Sequence, residues 1–189
     1  MKIGIISGSA RKGNNTLRVA KAIQRIAGEA MILDLQEYDL PNFTGDPLPL
    51  GKESVFQKKF ISLMEEANLV FFLTPEYNWF PSAEIINIIH TFGSNSYKHL
   101  FDNKVIATVG VSVGRGGRMP AVQLGYVLNK LISFLNLDSV VSPKHFEAQE
   151  VTSCISLEGE LQENQAFNKG IESFVSYSLK LAKRWQETA

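Results

Sequence analysis

Short runs of apolar residues alternate along the chain with longer stretches in which apolar positions recur every three or four residues. Ile3 to Ser7 reads as a buried strand bounded by the turn at Gly8 and Ser9. Asn14 to Ile26 then sets Leu17, Ala20, Ile23 and Ile26 at helical spacing. Met31 to Leu35 is a second strand, and Leu40 to Lys52 is a loop bearing proline and glycine. Ser54 can cap a helix running through Ala67, whose apolar stripe is Phe56, Phe60, Leu63 and Met64. Leu69 to Leu73, apolar without interruption, suits a strand covered on both faces. A helix from Ala83 to Phe92 follows, then a strand from Val105 to Val113 and a helix from Ala121 to Leu135. A fifth strand begins at Ser139 to Ser142, Pro143 to Gly159 is irregular, and Asn164 to Lys183 closes the chain as a helix.

Five strands, each followed by a helix, predict an α/β fold with a parallel sheet and helices on both faces. Right-handed crossovers leave few topologies, of which the order 2-1-3-4-5 is the common one. No repeat or linker divides the chain, so residues 1–189 are expected to form one domain. Ligands of such sheets bind outside the carboxyl ends of the strands, where the order reverses. The loops after the first, third and fourth strands are therefore where chemistry is expected.

Composition narrows the classes. Nineteen Lys and Arg balance nineteen Asp and Glu, which gives no footprint for nucleic acid. The cations from Lys180 to Arg184 suit the end of a terminal helix. A single cysteine, Cys154, excludes an intramolecular disulfide and a cysteine-built metal cluster, and fits a reducing compartment. His90, His99 and His145 lack the spacing of a metal site. The first apolar run is too short for a signal-peptide core, and no stretch is long enough to span a bilayer. The expected setting is cytoplasmic, with no membrane partner.

The first loop, Gly8 to Thr16, leads into a helix, where free amides and the helix dipole favour a phosphate. Ser9, Asn14 and Thr16 could add hydrogen bonds and Arg11 charge; the plain alternative is a turn plus a helix cap. Gly8 and Gly13 have P-loop spacing, but Asn14 and Asn15 replace the Lys and Ser or Thr that triphosphate chemistry needs. The dinucleotide pattern of three glycines is also missing. The second loop, Thr74 to Phe80, can turn backbone groups edge-on to a planar ring. Its Tyr77, Trp79 and Phe80 could stack on a ring, cover a subunit interface, or simply pack beneath the turn. The third loop, Gly110 to Gly117, is richer in glycine than a turn requires, which suits close contact with a flat ligand.

These loops resemble those of the NADPH-dependent FMN reductase family, which includes quinone and azo-dye reductases. Gly8 to Thr16 is similar to the family's G-S-x-R-x-x-S-x-N loop, with Asn14 in the serine place and Thr16 in the asparagine place. Pro75-Glu76-Tyr77-Asn78 reproduces its P-E-Y-N loop, and Gly110 to Gly117 is similar to its glycine-rich third loop. The resemblance implies a flavodoxin-like three-layer sandwich binding noncovalent FMN. The phosphate would sit at Ser9, Arg11, Asn14, Asn15 and Thr16. The ring would lie against Pro75, Glu76, Tyr77 and Asn78, and against Ser112, Gly114, Gly116 and Gly117. After P-E-Y-N the family commonly continues G-S-x-P-x-x-L-K-N-A-x-D. Here Trp79 and Phe80 follow; Asn87 is kept, while Ile86 replaces the lysine and His90 the aspartate.

The activity so implied carries hydride from NAD(P)H through FMN to a small-molecule electron acceptor: a quinone, azo compound, free flavin or metal ion. The nicotinamide and the acceptor would use one flavin face in turn, and no side chain need act as acid or base. Amides near Gly114 to Gly117 could stabilise negative charge on the reduced ring. Glu76 reads as an acid tied to the loop backbone. The rivals are a flavodoxin-type electron carrier, usually far more acidic than this neutral chain, and a flavin-binding interaction module. A homodimer or homotetramer is expected, with its interface near Pro75 to Phe92. There Ile85, Ile86, Ile88 and Ile89 cover more than one helix face, unless Pro143 to Gly159 covers them within the chain.

Overall fold

The computed structural model describes residues 1–46 and 48–187; Pro47, within the expected Leu40 to Lys52 loop, and the last two residues lie outside the described residues. Its strands are β1 (Ile3–Ser7), β2 (Met31–Asp34), β3 (Leu69–Pro75), β4 (Val105–Val111), β5 (Val140–Val141) and β6 (Phe146–Ala148). Its α-helices are α1 (Asn15–Ala27), α2 (Val55–Glu66), α3 (Ala83–Phe92), α4 (Arg118–Leu135), α5 (Val151–Cys154) and α6 (Gln165–Gln186). The sheet is parallel with order β2-β1-β3-β4-β5, so the chain leaves β1 first toward one edge and later toward the other. That reversal separates the connections beyond β1 and β3 and opens a crevice at their carboxyl ends.

Alternation along each strand explains the continuous apolar runs. Ile3, Ile5, Leu69, Phe71, Leu73, Val105, Ala107 and Val109 face α1, α5 and α6. Ile6, Val70, Phe72 and Ile106 face α2, α3 and α4. Residues of both sets are buried, which requires a sheet sandwiched between two helical layers. The α2 cap is a reciprocal capping box: Ser54 Oγ accepts from the Gln57 amide (3.1 Å), and Gln57 Oε1 accepts from the Ser54 amide (3.0 Å). In α1 the buried face is Thr16, Val19, Ala20 and Ile23, with Ala22, while Leu17 is only half-buried. The stripe is therefore turned from the expected one, because Thr16 is drawn inward by its hydroxyl bond to Ser7 (3.0 Å).

Two expectations are corrected. The fifth sheet position is built from two pieces, β5 and β6, both paired with β4. Pro143, which has no amide hydrogen to donate, falls in the gap, where Ser142 Oγ bonds both the carbonyl (2.9 Å) and the amide (3.2 Å) of Lys144. The segment expected to be irregular thus carries a strand and the short α5. The isoleucines of α3 are also covered within the chain, and not by Pro143 to Gly159. Ile85, Ile88 and Ile89 are buried in the α2–α4 layer, and Ile86 packs against it. A strap at residues 38–43 crosses the outer side of α3: Asn87 Oδ1 accepts from the Phe43 amide (2.7 Å), and Asn87 Nδ2 donates to the Pro41 carbonyl (2.8 Å) and to Tyr38 Oη. Phe43 lies on His90 with ring centroids 5.7 Å apart. No helix among the described residues is long and apolar enough to cross a membrane.

Candidate functional site

The three loops singled out in the sequence meet at the carboxyl ends of β1, β3 and β4. Gly8 ties the first to β3 through its amide on the Leu73 carbonyl (2.9 Å), so close that a Cβ there would overlap that carbonyl. Ser82, the N-cap of α3, donates through its hydroxyl to the Gly8 carbonyl and through its amide to Thr74 Oγ1 (2.9 Å). Tyr77 Oη lies 3.2 Å from Ser9 Oγ and joins the first loop to the second.

The loops enclose a cavity of about 120 Å³ lined by Ser9, Arg11, Asn14, Asn15, Thr16, Pro75, Tyr77, Val111, Ser112 and Val113. Eight of the thirteen expected site residues are in that lining. Glu76, Asn78, Gly114, Gly116 and Gly117 stand outside it, and Val111 and Val113 are apolar additions that residue type alone did not flag. The volume is well below the ~300–1,000 Å³ of a site enclosing a whole drug-sized ligand. It suits a phosphate group, with a ring lying over the open side.

The donor set fits an anion. The amides of Asn15 and Thr16, the first two of α1, have no acceptor among the described residues, whereas the third, on Leu17, is capped by Asn14 Oδ1 (2.7 Å). The Arg11 side chain is exposed and forms no ion pair among the described residues, and no carboxylate lines the cavity. Asn14 and Thr16 have other duties. Asn14 Nδ2 donates to the Ser9 carbonyl (3.2 Å), the Arg11 carbonyl (3.1 Å) and Asp34 Oδ1 (3.2 Å), and its Oδ1 accepts from Ser7 and Thr16 hydroxyls as well as Leu17. The cap reading of this loop therefore holds on Asn14, and the groups left without a partner for an anion, among the described residues, are the Asn15 and Thr16 amides and the Arg11 guanidinium.

The third loop is glycine-rich for reasons inside the protein. The Glu76 carboxylate accepts from the Gly117 amide and lies where a side chain on Gly116 would sit. A Cβ on Gly110 would overlap the Gly117 carbonyl; among these, only Gly114 faces open space. The Gly117 amide is thus committed to Glu76. The segment after β6 supports the loop from behind: Ser112 donates to the Ala148 carbonyl (2.9 Å), and Glu150 donates to the Gly114 carbonyl (2.9 Å). These supports were missed in the sequence because short pairings have no periodic signature.

The second loop closes as a two-residue hairpin. Tyr77 and Phe80 exchange backbone bonds of 3.1 and 3.0 Å around Asn78 and Trp79, whose φ angles are 51° and 69°. Such loops favour Asn-Gly because both residues must be left-handed. Asn78 suits its place, but Trp79 carries a Cβ where the conformation costs roughly 1–2 kcal/mol.

A parallel sheet whose order reverses beside a phosphate-sized, carboxylate-free cavity defines the class: a mononucleotide-binding α/β protein of flavodoxin-like type. The chain belongs to the NADPH-dependent FMN reductase family, whose model matches residues 1–147. It is an oxidoreductase of that family, for which FMN and NAD(P)H are cofactor and reductant. It is similar to a quinone reductase of Pseudomonas putida, 27% identical over 146 residues and covering 76% of each chain. An NADPH azoreductase of a Bacillus species is 32% identical over 123 residues, 65% of each chain. FerB, a flavoenzyme NAD(P)H:(acceptor) oxidoreductase from Paracoccus denitrificans, shares the fold with a TM-score of 0.76 at 21% identity over 97% of each chain.

Proposed function

We propose that the chain binds one FMN and uses it to pass reducing equivalents from NAD(P)H to a small-molecule acceptor. The observation that carries the reading is the small cavity where three strand-end loops meet at two unbonded helix amides and Arg11. The FMN phosphate is assigned to the Asn15 and Thr16 amides, Ser9 Oγ and the Arg11 guanidinium, with Asn14 shaping the loop. The ring is assigned to the surface of Pro75 to Asn78 and Ser112 to Gly117, where Glu76 holds the two loops in register. Bound FMN supplies the two-electron chemistry, while this chain supplies anchoring, orientation and an open face. Residues 1–189 act as one FMN-binding domain, in a cytoplasmic setting that the buried thiol of Cys154 suits. The names of the relatives favour quinones and azo compounds as acceptors.

Self-association belongs to the same reading. The outer face of α4 exposes Met119, Val122, Tyr126 and Phe134, and a cavity of about 360 Å³ beside it is lined by Phe43, His90, Tyr126, Lys130 and Phe134. Exposed apolar area of this extent is the mark of an interface, here a homodimer or homotetramer. The test of function is an absorbance spectrum of the FMN-loaded protein during anaerobic addition of NADPH and NADH in turn. Bleaching of the flavin band and its return on adding a quinone are expected. Flavin that stays oxidised with both nicotinamides would make the chain a carrier or binding module instead.

A further inference from the structure

We infer that Trp79 is a substrate-binding residue, whose indole forms a stacking platform for a planar aromatic electron acceptor at the flavin face; this rests on the FMN oxidoreductase reading above. Its backbone is held left-handed by the tight hairpin between Tyr77 and Phe80, at the position where such a turn favours glycine. The residue gains little packing in return, being 69% exposed. A large side chain that is both strained and mostly exposed adds little to the stability of its own chain, and strain of this kind concentrates where a ligand is handled.

The mount is rigid. Before the hairpin, the Glu76 amide donates to the Val111 carbonyl (2.9 Å) and its carboxylate accepts from Gly117. After it, Ser82 is pinned to Thr74 and Gly8, and Tyr77 itself lines the phosphate cavity beside Ser9. The backbone that carries the indole is therefore held next to Tyr77 and the cavity it lines, which is what a binding group needs. Its hairpin neighbours Asn78 and Phe80 carry no charge and the indole offers a broad apolar face, so flat aromatic surface is the chemistry it recognises best. A small hydrophilic acceptor gains nothing from it.

The experiment compares wild type, Trp79→Gly and Trp79→Phe with menadione as planar acceptor and ferricyanide as hydrophilic one. Trp79→Gly is expected to raise the thermal midpoint of the FMN-free protein by about 2–4 °C, since glycine relieves the strain. It should leave FMN affinity within about twofold, raise KM for menadione about three- to tenfold with kcat little changed, and leave KM for ferricyanide alone. Trp79→Phe should keep the menadione KM near wild type. Menadione should also quench the fluorescence of Trp79 in an FMN-loaded Trp185→Phe protein. Unchanged menadione KM in Trp79→Gly, equal loss with both acceptors, or no quenching overturns the platform. A halved light-scattering mass of Trp79→Gly would also overturn it, by placing the indole against a second copy. A wild type that binds FMN yet oxidises no nicotinamide fails the function reading instead, while the quenching experiment still decides the contact.

Discussion

Asn14 and Arg11 stand three residues apart in one loop, and their partners assign them different duties. Asn14 caps α1 and bonds the loop carbonyls, so Asn14→Ala should lower the stability of the FMN-free protein by about 1–2 kcal/mol in urea titrations. Arg11, exposed and without an ion pair among the described residues, should leave that stability within about 0.5 kcal/mol when changed to Ala. At the opposite end of the sheet, Lys104 is buried and donates to the Ala67 carbonyl (2.7 Å). Burial pulls its ammonium down to about 8, against the weaker pull upward from Asp102 and Glu65. Because the folded state releases this proton before the unfolded one does, the unfolded chain holds more protons between about pH 8 and the ordinary lysine range near 10.5. Stability of wild type relative to Lys104→Met should therefore rise with pH across that window, measured as paired denaturation curves. A difference that stays flat or falls would contradict the burial cost. That Arg11 and Ser9 would stand at one cavity was legible from their position in the loop alone. The helix cap at Asn14 was legible too, as the plain alternative, but the further bonds of Asn14 and Thr16 were not, because they depend on Ser7 and Asp34 arriving from neighbouring strands.

The second and third loops act as one element through Glu76. Glu76→Ala removes the acceptor of the Gly117 amide and the group lying on Gly116. We expect a loss of about 1–2 kcal/mol in stability and faster amide exchange confined to residues 110–117. Exchange unchanged in that stretch would mean that β4 and α4 alone hold the loop. The glycines of this loop were read in the sequence as room for a flat ligand. Gly110, Gly116 and Gly117 instead make room for protein groups, a distinction that composition cannot draw since both demand a missing side chain. The strands β1, β3 and β4 were legible because burial on both faces makes long apolar runs. The three-residue β6 was not, since it is too short for any period and is parted from β5 by Pro143.

On the scale of the molecule, the strand order followed from the five alternating units and the handedness of their crossovers, so the crevice could be placed before any coordinates. The reason given for an interface could not survive in the same way. Hydrophobicity on several sides of α3 calls for a second neighbour, and the strap held by Asn87 supplies it from residues far away in sequence. The contact between copies, expected near Pro75 to Phe92, is proposed instead at exposed Tyr126 and Phe134 on α4. Changing both to Lys should lower the light-scattering mass of the purified protein without unfolding it. A wild type that stays monomeric at about 100 μM, a concentration at which a standard-size interface would be occupied, would remove the proposed contact. The site itself is most directly tested by calorimetric titration of the FMN-free protein with FMN and with riboflavin, on wild type and Arg11→Ala. The phosphate cradle predicts much tighter FMN than riboflavin binding in wild type, with Arg11→Ala weakening FMN by about 1.5–3 kcal/mol and riboflavin hardly at all. Equal affinity for the two ligands, or an equal loss of both in Arg11→Ala, would contradict it.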